Sequence, residues 1–177
     1  MYYPPDNPQG WEKFMNPITG SQYPSATWQA EVLWGASTYH HQGPDLHASG
    51  VWRPKDRYHF ITHDPSQPLI YIGGYRRGMT MLGGLPELIR YAEEGVLDPN
   101  KMYTVTIFVA QSQLSDNFIN LFEKGVLKPL SLYEQQGFIE WQTLPEMAET
   151  WKTKYGEQPN IFIAPDEKRQ IEQLFPP

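Results

Sequence analysis

At 177 residues the chain is long enough for one domain with a true core and too short for two of ordinary size. Apolar residues make up 40%, aromatics 14% and charged residues 19%, which excludes a disordered polymer. The absence of cysteine excludes disulfides, thiolate zinc sites and cysteine nucleophiles. The net charge of -6 argues against broad binding to nucleic acid, although residues 50–90 are locally basic and would suit a small anionic ligand. No apolar run approaches the ~20 residues needed to span a bilayer, and the N-terminus lacks a basic-then-apolar signal pattern. A soluble protein is expected, cytoplasmic or exported without a classical signal peptide.

In chain order, residues 1–24 carry prolines at 4, 5, 8, 17 and 24, which leave little room for regular structure. Trp11, Phe14 and Tyr23 make this a proline-rich arm wrapped on the body formed by residues 25–177. Ala26–Trp34 alternates as a first strand, with Trp28, Ala30, Val32 and Trp34 on one face. Gly50-Val-Trp-Arg-Pro is a short extended piece, and Asp56–Thr62 reads as a second strand stopped by Asp64-Pro-Ser-Gln-Pro. Leu69–Ile72 is a short apolar run closed by Gly73-Gly74, and the glycines and methionines of 78–84 read as a flexible connection.

Leu85, Leu88, Ile89 and Ala92 recur at helical spacing between Pro86 and Gly95, which suit a helix start and stop. Lys101–Ala110 is rich in β-branched and aromatic residues and predicts a strand central in a sheet. Ser115 suits the cap of a short helix ending before Gly125. Gly137–Trp141 reads as a further strand, and Thr143-Leu-Pro-Glu146 is a capping-box pattern opening a helix. Asn160–Ala164 and Asp166–Phe175 close the chain as strand and helix. Short strands and helices without regular βαβ alternation predict an α+β domain with a mixed or antiparallel central sheet.

All five histidines fall between Tyr39 and Asp64. One reading is a metal-dependent hydrolase: His40, His41 and His47 lie close enough in sequence to offer nitrogen ligands to zinc, which takes three such ligands plus a water. None of the stronger metal spacings, such as His-Glu-x-x-His, is present.

A second reading starts from Tyr58-His-Phe-Ile-Thr-His-Asp-Pro-Ser. This stretch resembles the second motif of the ADP-ribosyltransferase toxin family, a strand with Ser-Thr-Ser followed by a Pro-containing turn. The order of the later elements is also similar, from the helix at 85–94 through the strand at 101–109 to a loop with Glu134 and Glu140. The resemblance covers roughly residues 30–145. It implies a toxin or effector that transfers ADP-ribose from NAD to an acceptor such as a protein, or hydrolyses NAD, with no metal required. Glu134 or Glu140 would then be the catalytic acid, Thr62 the orienting hydroxyl, and His59 a further catalytic candidate. A carboxylate there can stabilise an oxocarbenium-like transition state. Arg53, Arg57 and Arg76 would hold the pyrophosphate, and Tyr58 or Tyr71 would stack on a ring of the dinucleotide.

A third reading is a non-catalytic interaction or immunity protein. An acidic, aromatic-rich single domain presents Trp, Tyr and carboxylate anchors to a partner protein.

Overall fold

The apolar run closed by Gly73-Gly74 becomes the middle strand of the main sheet. The computed structural model describes residues 32–34, 48–55, 59, 61–75, 82–107, 109 and 114–174. The proline-rich arm and most of the predicted first strand lie outside them. The described elements are β1 (Val32–Trp34), β2 (Ala48–Ser49), β3 (Val51–Trp52), β4 (Ile70–Ile72), α1 (Leu85–Glu93), α2 (Asp116–Phe122), a π-helical turn (Glu123–Leu127), α3 (Lys128–Gln135), α4 (Leu144–Tyr155), β5 (Phe162–Ile163) and α5 (Pro165–Leu174). The class is α+β, as the mixture of short elements predicts.

β4 lies between β1 and β3. It pairs parallel with β1, Leu33 opposite Tyr71, and antiparallel with β3, Trp52 opposite Tyr71. Every residue of β4 is buried, which accounts for an unbroken apolar run where a one-sided strand would alternate. β2 pairs antiparallel with β5, forming a second, two-stranded sheet. Gly50 is therefore the corner at which the chain leaves one sheet for the other. Its φ of 112° is open to glycine and rarely to other residues.

Around that corner sit three buried polar residues, Ser49, Thr104 and Asn160. Thr104 Oγ1 accepts from Gly50 N–H (2.8 Å) and donates toward Gly73 O (2.7 Å). Ser49 Oγ donates to Thr104 O and accepts from Thr104 N–H, each at 2.8 Å. Asn160 Nδ2 donates to Met102 O (2.6 Å). These bonds correct the prediction of a central strand at Lys101–Ala110: none of the described residues there belongs to a strand ladder. The predicted alternation is kept, since Thr104 turns into the polar corner while Val105 and Ile107 pack against core clusters. What is missing is a neighbouring strand edge. The corner offers single backbone groups, and side chains take them up; Thr106 N–H to Gly74 O (2.7 Å) is a backbone bond in the same place.

The predicted strand at Asp56–Thr62 is also corrected. His59, Ile61 and Thr62 lie in turns and bends, and residues 56–58 and 60 fall outside the described set. The return arm 62–64 pairs with 53–55, through Lys55 N–H to Thr62 O and Asp64 N–H to Arg53 O, both 2.9 Å. Asp64 then fixes the next turn by accepting from the Ser66 amide (2.9 Å) and hydroxyl (2.6 Å). Those two bonds hold its carboxyl below the usual range.

α1 forms as predicted and buries Leu85, Leu88 and Tyr91, with Gly95 past its end at φ 71°. The helix capped by Ser115 does not stop before Gly125; it runs on through the π turn into α3 and ends at Gly137, φ 77°. Two facts explain this. Phe122, Val126, Leu130 and Tyr133 keep helical spacing across Gly125 and share one apolar cluster. Pro129, whose ring would clash with the carbonyl four residues earlier, follows a wider turn in which Lys128 N–H reaches Glu123 O. The predicted strand at Gly137–Trp141 is an irregular connection outside any ladder.

α4 carries the predicted capping box: Thr143 N–H donates to Glu146 Oε2 (2.7 Å) and Glu146 N–H to Thr143 Oγ1 (3.4 Å). α4 packs on β1 and β4, with Trp151 fully buried among Val51, Ile70, Ile72 and Ala148.

Candidate functional site

Arg57, Tyr58, Arg76, His40, His41 and His47 fall outside the described residues. Among the described residues no three His, Asp or Glu side chains gather as a metal site. The remaining predicted site residues are scattered. Arg53, expected to grip a pyrophosphate, is built into the fold. Its Nε and Nη2 donate to Glu157 Oε2 (3.2 and 2.9 Å), its Nη1 donates to the carbonyls of Gln67 (3.0 Å) and Pro68 (2.9 Å), and its plane lies 5.6 Å from the Trp151 ring. Tyr71, expected to stack on a ligand, is fully buried with its ring 4.8 Å from that of Trp52. Thr62 and His59 belong to one turn, Thr62 N–H donating to His59 O at 3.1 Å. Glu134 is exposed in the last turn of α3.

His63, next to Thr62, has a structural part. Its Nδ1 accepts from Arg53 N–H (3.1 Å) and its ring meets the edge of Trp151, centroids 6.3 Å apart. Burial, and then the Arg53 charge, lower its pKa from the ordinary 6.5. A lowered imidazole pKa means that the unfolded chain binds the proton more tightly. The stability this neutral ring contributes is complete above the unfolded value and is lost as pH falls through the lowered one. Thermal melts between about pH 7 and pH 5 are expected to fall more steeply for the natural chain than for His63→Gln, whose amide oxygen can still accept the Arg53 N–H. Parallel profiles would show that His63 titrates as it does in the unfolded chain.

Glu140 is the predicted acid that does face a cleft. Two adjoining hollows of about 270 and 390 Å³ open between the 102–107 segment, α1, the connection after α3 and the start of α4. They share Leu85, Thr104, Val105, Ile139, Glu140, Gln142 and Met147 as lining. The walls are mixed: the smaller hollow adds Tyr103, Thr150, Lys154 and Tyr155, the larger adds Thr106 and Thr143, and one side-chain pair lines both, in which Gln142 Nε2 donates to Glu140 Oε1 at 2.9 Å. Gln142 Oε1 is buried and has no hydrogen-bond partner among the described residues. Neither Thr62, His59 nor Glu134 lies among the cleft's described lining, so the hydroxyl and acid expected to meet over a dinucleotide do not meet here.

The sequence reading placed Trp141 at the end of a strand and gave Gln142 no part. Trp141 is 56% exposed and lines the larger hollow. The signal was present as an aromatic residue set between two polar ones, Glu140 and Gln142, immediately before a helix cap. The segment 114–144, whose end lines the cleft, is unusual in its exposed side chains. Leu114, Ile119, Leu121, Leu127, Leu132, Phe138, Trp141 and Leu144 are all exposed, and Val96 is the only other large apolar side chain so exposed among the described residues. α2 buries none of its residues, and Val126 and Leu130 anchor the π turn and α3.

Comparison of the chain with models of known protein families, with curated proteins and with solved structures finds no match.

Proposed function

We propose that this chain works as a non-catalytic interaction protein that docks a partner polypeptide on the surface formed by α2, the π turn, α3 and the connection leading to α4. The observation that carries this reading is the concentration of exposed leucine, isoleucine, phenylalanine and tryptophan in residues 114–144. Scattered apolar residues are ordinary on a surface, whereas a cluster on one segment is the mark of an interaction face. Leucines at such positions add nothing to the stability of the free chain, and they gain when a partner removes them from water. The employment of Arg53 and Tyr71 within the fold supports the same reading, because two of the groups expected to hold a dinucleotide are already engaged.

The double variant Leu121→Lys/Leu132→Lys tests it. Both positions are exposed, so the melting curve is expected to stay within about 0.5 kcal/mol of the natural chain at each site. A partner that co-purifies with the natural chain from the cells that make it should be lost from the variant, its affinity reduced by at least about tenfold. A natural chain that elutes without a partner and consumes NAD, with the turnover abolished in Glu140→Gln, would replace this reading with the transferase one.

A further inference from the structure

Building on that docking reading, we infer that the cleft beside Trp141 receives an arginine side chain of the partner polypeptide. The larger hollow, about 390 Å³, is lined by Glu140, Trp141 and Gln142 over an apolar floor that includes Ile107 and Leu130, and its described lining contains no Lys, Arg or His. The polar demand of this hollow is for donors. The hydroxyls of Thr104 and Thr143 are already used, on Gly73 O and on Glu146 Oε2. Thr106 is the third hydroxyl on the wall, and the charged group offered to a ligand is the exposed Glu140 carboxylate.

The orientation of the Gln142 amide is not arbitrary. Turned the other way, it would set its oxygen against the Glu140 carboxylate; with Nε2 donating to Glu140, Oε1 is left buried and without a donor among the described residues. That oxygen has almost no accessible surface, so a ligand in the hollow would meet the Glu140 carboxylate, steadied by the Gln142 amide, and not the amide oxygen. A guanidinium suits all the walls at once. Its planar fork supplies several N–H groups to the carboxylate, its charge opposes that of Glu140, and its flat face can lie on the exposed indole of Trp141. The methylene stem would run along Ile107 and Leu130. The chain's net charge of -6 favours a basic approaching segment over an acidic one. A lysine would bring the charge without the fork.

The probe is acetyl-Gly-Arg-Gly-amide titrated at millimolar concentration into the full isotope-labelled chain, with the Trp141 indole and Gln142 side-chain amide resonances followed by NMR and assigned with Trp141→Phe and Gln142→Leu. Saturable shifts at both groups are expected. The citrulline peptide, equal in shape and uncharged, should bind at least about tenfold more weakly, and so should the arginine peptide to Glu140→Gln. No saturable shift, or equal binding of the citrulline peptide, or full binding to a folded Glu140→Gln, overturns the inference. If the peptide fails while the natural chain still retains its partner, the cleft assignment falls and the docking surface stands. If the peptide binds as expected, the assignment holds even where no partner is found.

Discussion

Gly50→Ala is expected to cost about 3–5 kcal/mol of stability, the sum of a strained backbone and an overfilled corner. At φ 112° an alanine is strained before any contact is considered. A β-carbon placed there would collide with the carbonyl oxygen of Asn160 and come within 2.8 Å of its Nδ2. Asn160 cannot retreat freely, because its amide donates to Met102 O and its N–H to Val51 O. The displacement would therefore pass into the segment that Ser49 and Thr104 tie to the corner. Gly95→Ala is the control: φ is again positive, 71°, and nothing lies within 4 Å of the added carbon, so a loss of only about 1 kcal/mol is expected. Urea midpoints for the two variants measure the difference. Equal losses would show that the corner is not a close contact.

Trp151→Ala should cost about 3–5 kcal/mol, a fall in melting temperature of about 6–20 °C for a chain of this size. The indole is fully buried among Val51, Ile70, Ile72 and Ala148, and its Nε1–H donates to Gln158 O at 2.7 Å. Truncation leaves a cavity and an unmet carbonyl, and it also removes the surface on which Arg53 and His63 rest. Trp151→Phe keeps most of the packing and loses the hydrogen bond, so it is expected to fall between the two. Because α4 also carries Met147 into the cleft wall, the alanine variant should also weaken the arginine-peptide binding proposed there. A small loss, of the order seen at exposed sites, would mean that α4 is not held through this residue.

The features that read correctly from sequence are those written into a few adjacent residues. Thr143 and Glu146 cap α4 with groups three positions apart, and Pro86 and Gly95 bracket α1; no distant partner is needed to interpret either. The strand at Lys101–Ala110 failed for the opposite reason. Its β-branched residues and alternation are real, but a ladder requires a second backbone alongside, and the corner at Gly50 presents side chains and single groups instead. Gly125 misled because a glycine reads locally as a stop, whereas the Phe122, Val126, Leu130 and Tyr133 stripe carries the helix past it. At the site, Glu140 was legible as an acid in a loop. Its partner Gln142 was not, since a neutral amide shows its importance only when the surrounding acceptors and donors can be counted. Arg53 was legible as a cation, and nothing in its sequence neighbours reveals that Glu157, more than a hundred positions later, waits for it.

The widened turn at Glu123–Leu127 has a bearing on how the segment carrying the exposed leucines is held together. Its Lys128 N–H reaches Glu123 O, five residues back, so the turn takes up one residue more than an α-helical turn while Phe122 before it and Leu130 after it stay in one apolar cluster. The residue count of the turn thus decides whether Pro129 can follow without its ring meeting the carbonyl four residues earlier. A chain one residue shorter here would press Pro129 into a regular helical turn and break the rod that carries the exposed leucines, so length, more than identity, keeps α2 and α3 in one piece.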